Sequence, residues 1–266
     1  MLNQNLKKGI FKVAPEGSLL MAGIKKIYRL KFLLRSLFSK SVLDAHIFLF
    51  TIRNIISPHK PVSAEAQEGH FFNLDQKGKE SLYYWMNPDQ KEYEFSMIEK
   101  FLRPGMVFVD MGSGEGFFSL AVGASVVNAK VYAFEEEKES FDILKENIKM
   151  NTFSTNITIG DQFPAGDADA GFKQAGIKKI DLLRVNAKGK ELKLFESMKD
   201  ALVSPDSPVI IYKTSSAYTG KFGYHPVEIL WLLQDYGYSF FIPDAEGNII
   251  VRPDREYEGF IIAKKR

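Results

Sequence analysis

The chain has 266 residues, 45% of them apolar and 26% charged, which is ordinary globular composition with enough length to bury a substantial core. It has no cysteine and only four histidines (46, 59, 70 and 225), none at i, i+3 or i+4. This excludes disulfide scaffolds, iron–sulfur clusters, cysteine zinc sites and thiol nucleophiles, and no metal is expected. The net charge is only +2, yet residues 1–60 hold eleven Lys/Arg against two acids, a net +9. The remaining 206 residues hold 24 Lys/Arg against 31 acids, a net −7.

That asymmetry marks residues 1–60 as a basic extension and residues 61–266 as the main domain. Residues 18–56 read as one or two helices, with Leu20, Ile27, Leu30, Leu34, Leu37 and Phe38 on one face and Lys25, Lys26, Arg29, Lys31, Arg35 and Lys40 off it. Two readings stay open: a helical cap packed on the main domain, or an amphipathic helix lying on an anionic membrane surface. No run approaches the ~18 apolar residues of a membrane span, and no signal-peptide core follows the start. The expected location is cytoplasmic, with peripheral attachment at the inner membrane face. Interleaved aliphatic residues suit lipid or protein better than phosphate tracking, so no nucleic-acid partner is expected.

Residues 57–70 read as a linker, and Phe71–Leu74 and Ser81–Trp85 as short strands or a hairpin. Tyr83, Tyr84 and Trp85 suit either a substrate wall or, more commonly, core. A helix follows over Glu94–Leu102, ended by Arg103-Pro104-Gly105. Strands and helices then alternate: strand Met106–Met111, helix Gly116–Val127, strand Lys130–Phe134, helix Lys138–Met150 and strand Asn156–Gly160. Strand Lys179–Val185, helix Lys190–Ala201, strand Pro208–Lys213 and helix His225–Tyr236 come next, and strands Tyr238–Ile242 and Gly259–Ala263 close the chain. This alternation implies right-handed βαβ crossovers and a mostly parallel sheet covered on both faces.

The most informative segment is Val109-Asp110-Met111-Gly112-Ser113-Gly114-Glu115-Gly116, where an apolar strand runs through a glycine-rich turn into a helix. Ligands bind at this edge of an α/β sheet. A dinucleotide fingerprint requires a third glycine where Phe117 stands, and no phosphate-binding loop motif is present. Asp110 would repel a pyrophosphate and attract a cationic ligand such as a sulfonium bearing an ammonium group. Glu135 ends the second strand 23 residues after Gly112, placed to accept both hydroxyls of a ribose. Asp161, after the third strand, is a candidate acceptor for an adenine amino group. The candidate cofactor residues are therefore Asp110, Gly112, Ser113, Gly114, Glu115, Gly116, Glu135 and Asp161.

The turn and Val131-Tyr132-Ala133-Phe134-Glu135 resemble the first two motifs of class I S-adenosylmethionine-dependent methyltransferases. More specifically, the run Leu102 to Gly112, the set Phe141, Leu144, Asn147 and Asn151, and Ile180-Asp181-Leu182-Leu183-Arg184 onward to Glu191 resemble the FkbM family. The resemblance spans roughly residues 100–266. It implies a Rossmann-like α/β fold with a seven-stranded, mostly parallel sheet and an antiparallel final hairpin. It also implies S-adenosylmethionine as cofactor, and methyl transfer to a hydroxyl of a sugar, glycan or natural product. The chain departs from the family pattern at Asn186 and Lys188, where relatives carry acids, and at Lys213 near the fifth strand. These changes remove bases and add positive charge. Candidates for handling the acceptor's proton are Asn186, Lys213 and His225; His225, at an expected helix start, suits a capping or exposed histidine at least as well. The alternative is a relative that binds cofactor or a partner without turnover.

Overall fold

The computed structural model describes residues 62–67, 70–74, 88–152, 156–160, 166–243, 249–251 and 257–265. The expected helices over 18–56, the aromatic run Tyr83–Trp85 and Asp161 lie outside the described residues.

Two strands come first. β1 (Val62–Gln67) pairs antiparallel with β2 (His70–Leu74), with a register irregularity between Glu65 and Gln67. The expected linker over 57–70 is thus partly strand. Val62, Ala64 and Ala66 alternate with Ser63, Glu65 and Gln67, the period-two pattern of a half-covered strand, which the flanking prolines obscured. Helix α1 (Pro88–Glu99) starts six residues before the expected position, with Pro88 at its first turn, where a missing N–H costs nothing.

The main sheet holds β3 (Val107–Met111), β4 (Lys130–Phe134), β5 (Ile157–Gly160), β6 (Leu182–Val185), β7 (Val209–Thr214), β8 (Ser239–Pro243), β9 (Ile249–Val251) and β10 (Gly259–Lys264). Their order is β5-β4-β3-β6-β7-β10-β8-β9. The first five neighbours are parallel; β10 runs antiparallel between β7 and β8, and β9 adds to the β8 edge. The seven expected strands with their antiparallel final hairpin are present, and β9 is a short eighth strand at the edge. This is the Rossmann-like arrangement.

Alternation along β3 shows why both faces are covered. Phe108 enters one core with Phe95, Ile98, Phe118, Leu120 and Leu144; Val109 and Met111 enter the other with Leu183, Phe195, Tyr212 and Leu233. The first core is roofed by α1, α2 (Phe117–Ser125) and α3 (Lys138–Lys149). The second is roofed by α4 (Ala168–Gln174), α5 (Glu191–Ser197), α6 (Lys199–Val203) and α8 (Pro226–Asp235). The β1–β2 hairpin lies against α2. The helix expected over Lys190–Ala201 is broken at Met198 into α5 and α6. A short α7 (Ser216–Thr219) with a 3-10 turn (Gly220–Phe222) lies between β7 and α8, where no element was expected. Asp167 caps α4, a helix the sequence reading passed over, by accepting from the Ala170 N–H at 2.8 Å.

Candidate functional site

The strand order reverses beside β3: β4 and β5 lie to one side, β6 and β7 to the other. The connections leaving β3 and β6 diverge there, and a crevice opens at the carboxyl ends of the strands. It encloses about 400 Å³, in the range of small-molecule sites. Gly112 and Gly114 form its floor, and Glu135, Glu137 and Ser140 one wall. Asn186, Lys188 and Glu191 come from the loop after β6. Lys213 and Thr214 come from the end of β7, Ser215 from the residue after it, Tyr218 from α7 and Glu94 from α1.

The floor needs glycine for two reasons. Gly112, Gly114 and Gly116 all have left-handed backbones, with φ of 79°, 59° and 89°. In addition, a Cβ on Gly112 would strike the Asn186 carbonyl, and one on Gly116 would strike the Leu144 side chain. Gly112 thereby lets the β3 and β6 connections touch, and Gly116 seats α3 against the start of α2. Asn147 on α3 donates its amide to the Glu115 carbonyl at 2.8 Å, and Asn151 donates to Asn147 at 2.7 Å. The Leu144, Asn147 and Asn151 positions of the downstream motif thus fasten the turn. The N–H groups of Gly112 and Ser113 donate to the Phe134 carbonyl at 2.9 and 3.0 Å, and the Ser113 hydroxyl donates to it at 3.3 Å. Of the turn residues, Gly112 and Gly114 line the crevice. Ser113, Glu115 and Gly116 do not; they are buried and shape it.

Glu135 sits on the wall with its carboxylate fixed. Oε2 accepts the Gly114 N–H at 2.8 Å and Oε1 accepts the Glu137 N–H at 2.7 Å. A carboxylate has about four acceptor positions, so each oxygen keeps one for a ligand.

Asp110 departs from expectation. It is fully buried and absent from the crevice lining. It lies directly across from Arg184 in the β3–β6 register, so the two side chains share one face. Arg184 Nη1 donates to its Oδ1 at 2.7 Å, and the Ser119 hydroxyl donates to Oδ2 at 2.8 Å. Arg184 also pairs with Glu94 at 3.5 Å and stacks on the Phe118 ring, 4.3 Å from its centroid. The charge expected to attract a cationic ligand is spent inside the protein. Arg184, in an otherwise apolar strand, was the signal: a buried cation there requires buried acids nearby.

The loop after β6 explains part of the departure from the family pattern. Lys188 pairs with Glu137 at 3.6 Å, and Lys190 pairs with Glu136. Two lysines therefore clamp this loop to the loop after β4, at the two residues that follow Glu135. Lys188 adopts φ of 52°, a left-handed conformation unusual for a side-chain-bearing residue. Next in sequence, Glu191 is buried on the crevice wall. Its carboxylate accepts the N–H groups of Ala187 at 2.8 Å and Gly189 at 2.9 Å, and the Tyr224 hydroxyl at 3.4 Å. Burial pushes its carboxyl above the ordinary range, against the opposing pull of these hydrogen bonds. The Tyr224 phenol is raised in turn, by burial and by the Glu191 charge.

The three residues expected to handle a proton separate. Asn186 and Lys213 line the crevice, with the Lys213 ammonium 5.1 Å from the Phe260 ring centroid. His225 does not. It is exposed and caps α8, its Nδ1 accepting the Val227 N–H at 3.3 Å while its own N–H donates to Glu228 at 2.7 Å. The following Pro226 was the sequence signal for that cap. Sequence reasoning missed Glu191, Thr214 and Tyr218; Glu191 was visible only as the last position of a motif already quoted.

Residues 67–165 match the family model of the TRM5/TYW2 methyltransferase domain. This stretch contains the glycine turn and Glu135, and the matching family is not the FkbM family that the motifs resemble. No curated protein matches the chain. Among solved structures, the chain is similar to a precorrin-6y C5,15-methyltransferase from Geobacter metallireducens, with 17% identity and a TM-score of 0.45. That match covers 66% of this chain and 88% of the other. It is also similar to a SAM-dependent O-methyltransferase from Thermotoga maritima, with 16% identity, coverage of 66% and 64%, and a TM-score of 0.45. A third is the Aeropyrum pernix fibrillarin with natively bound S-adenosyl-L-methionine, with 13% identity, coverage of 63% and 72%, and a TM-score of 0.42.

Proposed function

We propose that this protein is an S-adenosylmethionine-dependent methyltransferase that methylates a hydroxyl of a sugar, glycan or natural-product acceptor, as a divergent relative of the FkbM family. The observation that carries the reading is Glu135: a carboxylate aimed by two backbone N–H groups at the wall of a glycine-floored crevice, at the strand end where a ribose diol is gripped. The residues fit the cofactor. Gly112 and Gly114 leave the floor free of side chains, and with Glu94 answered by Arg184 and Glu137 by Lys188, the lining acids Glu135 and Glu191 still outnumber Lys213. A cationic ligand is favoured by that balance rather than by Asp110. The family-model match over residues 67–165 supports the methyltransferase part of this reading.

When bound, S-adenosylmethionine supplies an electrophilic methyl group on a cationic sulfur. The chain's own part is to hold and orient, which accounts for much of the barrier reduction when two reactants must meet in line. The acceptor hydroxyl must also lose its proton. Asn186 has no basic site, and His225 is outside the crevice. Glu191 lines the crevice on the β6 side, and its raised affinity for a proton suits it to take one.

The test is transfer of labelled methyl from S-adenosylmethionine to a mixed pool of monosaccharides and lipid-linked sugars. Label in the sugar fraction, lost in Glu135→Ala, is the expected result. Tight binding of S-adenosylhomocysteine with no transfer to any hydroxylated acceptor would favour the second reading, a binding protein without turnover, to which Asn186 and Lys188 lend support.

A further inference from the structure

Thr214 is the last residue of β7 and lines the crevice. It is 3% exposed, and its hydroxyl has no hydrogen-bond partner among the described residues. A buried, unanswered hydroxyl is destabilising relative to a satisfied one, so it calls for an explanation where it stands on a ligand-sized cavity. Its surroundings are built rather than incidental. Gly189 has no side chain, and a Cβ there would strike the Tyr218 carbonyl at 2.6 Å and the Phe222 ring at 2.7 Å. The Glu191 loop and the α7 segment are therefore packed as one wall. Tyr218 adds a partly exposed aromatic ring to it. Ser215 lies beside Thr214 on the same lining.

We infer that Thr214 anchors the methyl acceptor: its hydroxyl hydrogen-bonds an uncharged, hydroxylated acceptor lying between the Tyr218 ring and the Glu191 carboxylate. The acceptor thus enters over the β7 side of the crevice, opposite Glu135 on the β4 side. A hydroxyl both donates and accepts, which matches a polyol better than an ion. The inference rests on the methyltransferase reading for the occupant of the β4 side. Thr214 is a positioning residue in this scheme and takes no part in bond making.

The test uses the full chain with methyl-labelled threonine, saturated with S-adenosylhomocysteine and titrated with methyl α-glucopyranoside as a neutral polyol probe. Thr214→Val assigns the resonance and removes the hydroxyl at nearly constant shape; Thr214→Ser keeps it. The expected result is a saturable shift of the Thr214 methyl signal. Affinity for the probe should fall at least fivefold in Thr214→Val and stay within twofold in Thr214→Ser, with S-adenosylhomocysteine affinity unchanged in both. Thr214→Val should melt no lower than the parent, because no intramolecular bond is lost. S-adenosylhomocysteine binding without any response at Thr214, or equal probe affinity in Thr214→Val, overturns the inference while leaving the cofactor reading intact. Failure of S-adenosylhomocysteine to bind at all overturns the reading beneath it.

Discussion

Removing Arg184 would strand two buried carboxylates, Asp110 and Glu94, that it now neutralises. Breaking a buried pair in this way costs about 3–5 kcal/mol. Arg184→Met, which keeps apolar contact with Phe118, should lower the urea midpoint by a corresponding amount. Lys188 gives the opposite case. Its left-handed backbone costs ~1–2 kcal/mol that glycine would not incur, and its exposed pair with Glu137 returns only ~0.2–1 kcal/mol. Lys188→Gly should therefore stabilise the protein, by about 1 kcal/mol in the same measurement. Glu191 makes stability depend on pH. Its folded carboxyl is raised above the ordinary 4.5, so the folded state holds the proton to higher pH than the unfolded state does. The stability this contributes is fully present below 4.5 and is lost as pH rises through the folded value. In Glu191→Gln, denaturation midpoints measured from pH 4 upward should lack that fall. Methyl transfer should drop in the same variant while S-adenosylhomocysteine affinity holds; an unchanged turnover would remove Glu191 as the proton acceptor.

Among the elements, the two lysine–glutamate pairs join the loop after β6 to the loop after β4 across the crevice mouth. Each is exposed and adds little to overall stability. Their effect falls on the loop itself. The double variant Lys188→Glu, Lys190→Glu should speed S-adenosylhomocysteine release severalfold in stopped-flow, and the parent's release should quicken with salt where the variant's does not. Such cross-sheet contacts were not legible beforehand. The β3 strand, its glycine turn and the Glu135 strand end were, because each is written in contiguous residues: apolar alternation, glycines where backbone must turn left, an acid at a fixed later distance. Arg184 facing Asp110 was not, because it depends on the register of strands 74 residues apart. β1 was hidden by neighbouring prolines, and of the two readings of His225 its Pro226 and Glu228 neighbours decide for the helix cap.

For the whole molecule, charge is divided unevenly along the chain. The acid-rich main domain holds the crevice, and residues 1–56 hold ten of the 35 Lys/Arg. Among the described residues, no helix is long and apolar enough to cross a membrane. We propose that the basic extension binds anionic lipid. The full chain should sediment with vesicles containing phosphatidylglycerol and not with neutral vesicles, and should lose that binding when residues 1–56 are deleted. The deletion should leave S-adenosylhomocysteine affinity unchanged, since among the described residues the crevice lining begins at Glu94.

All of these expectations depend on the crevice gripping a cationic adenosyl ligand through Glu135, with Asp110 serving only the interior. Calorimetric titration of the full chain with S-adenosylhomocysteine tests that directly, beside the variants Glu135→Ala and Asp110→Asn. The account predicts one site per chain and no comparable heat from NAD. It also predicts a loss of about tenfold to a hundredfold in Glu135→Ala, as for hydrogen bonds to a charged group, and near-parent affinity in folded Asp110→Asn. Equal affinity in Glu135→Ala, or no binding by the parent, would contradict it.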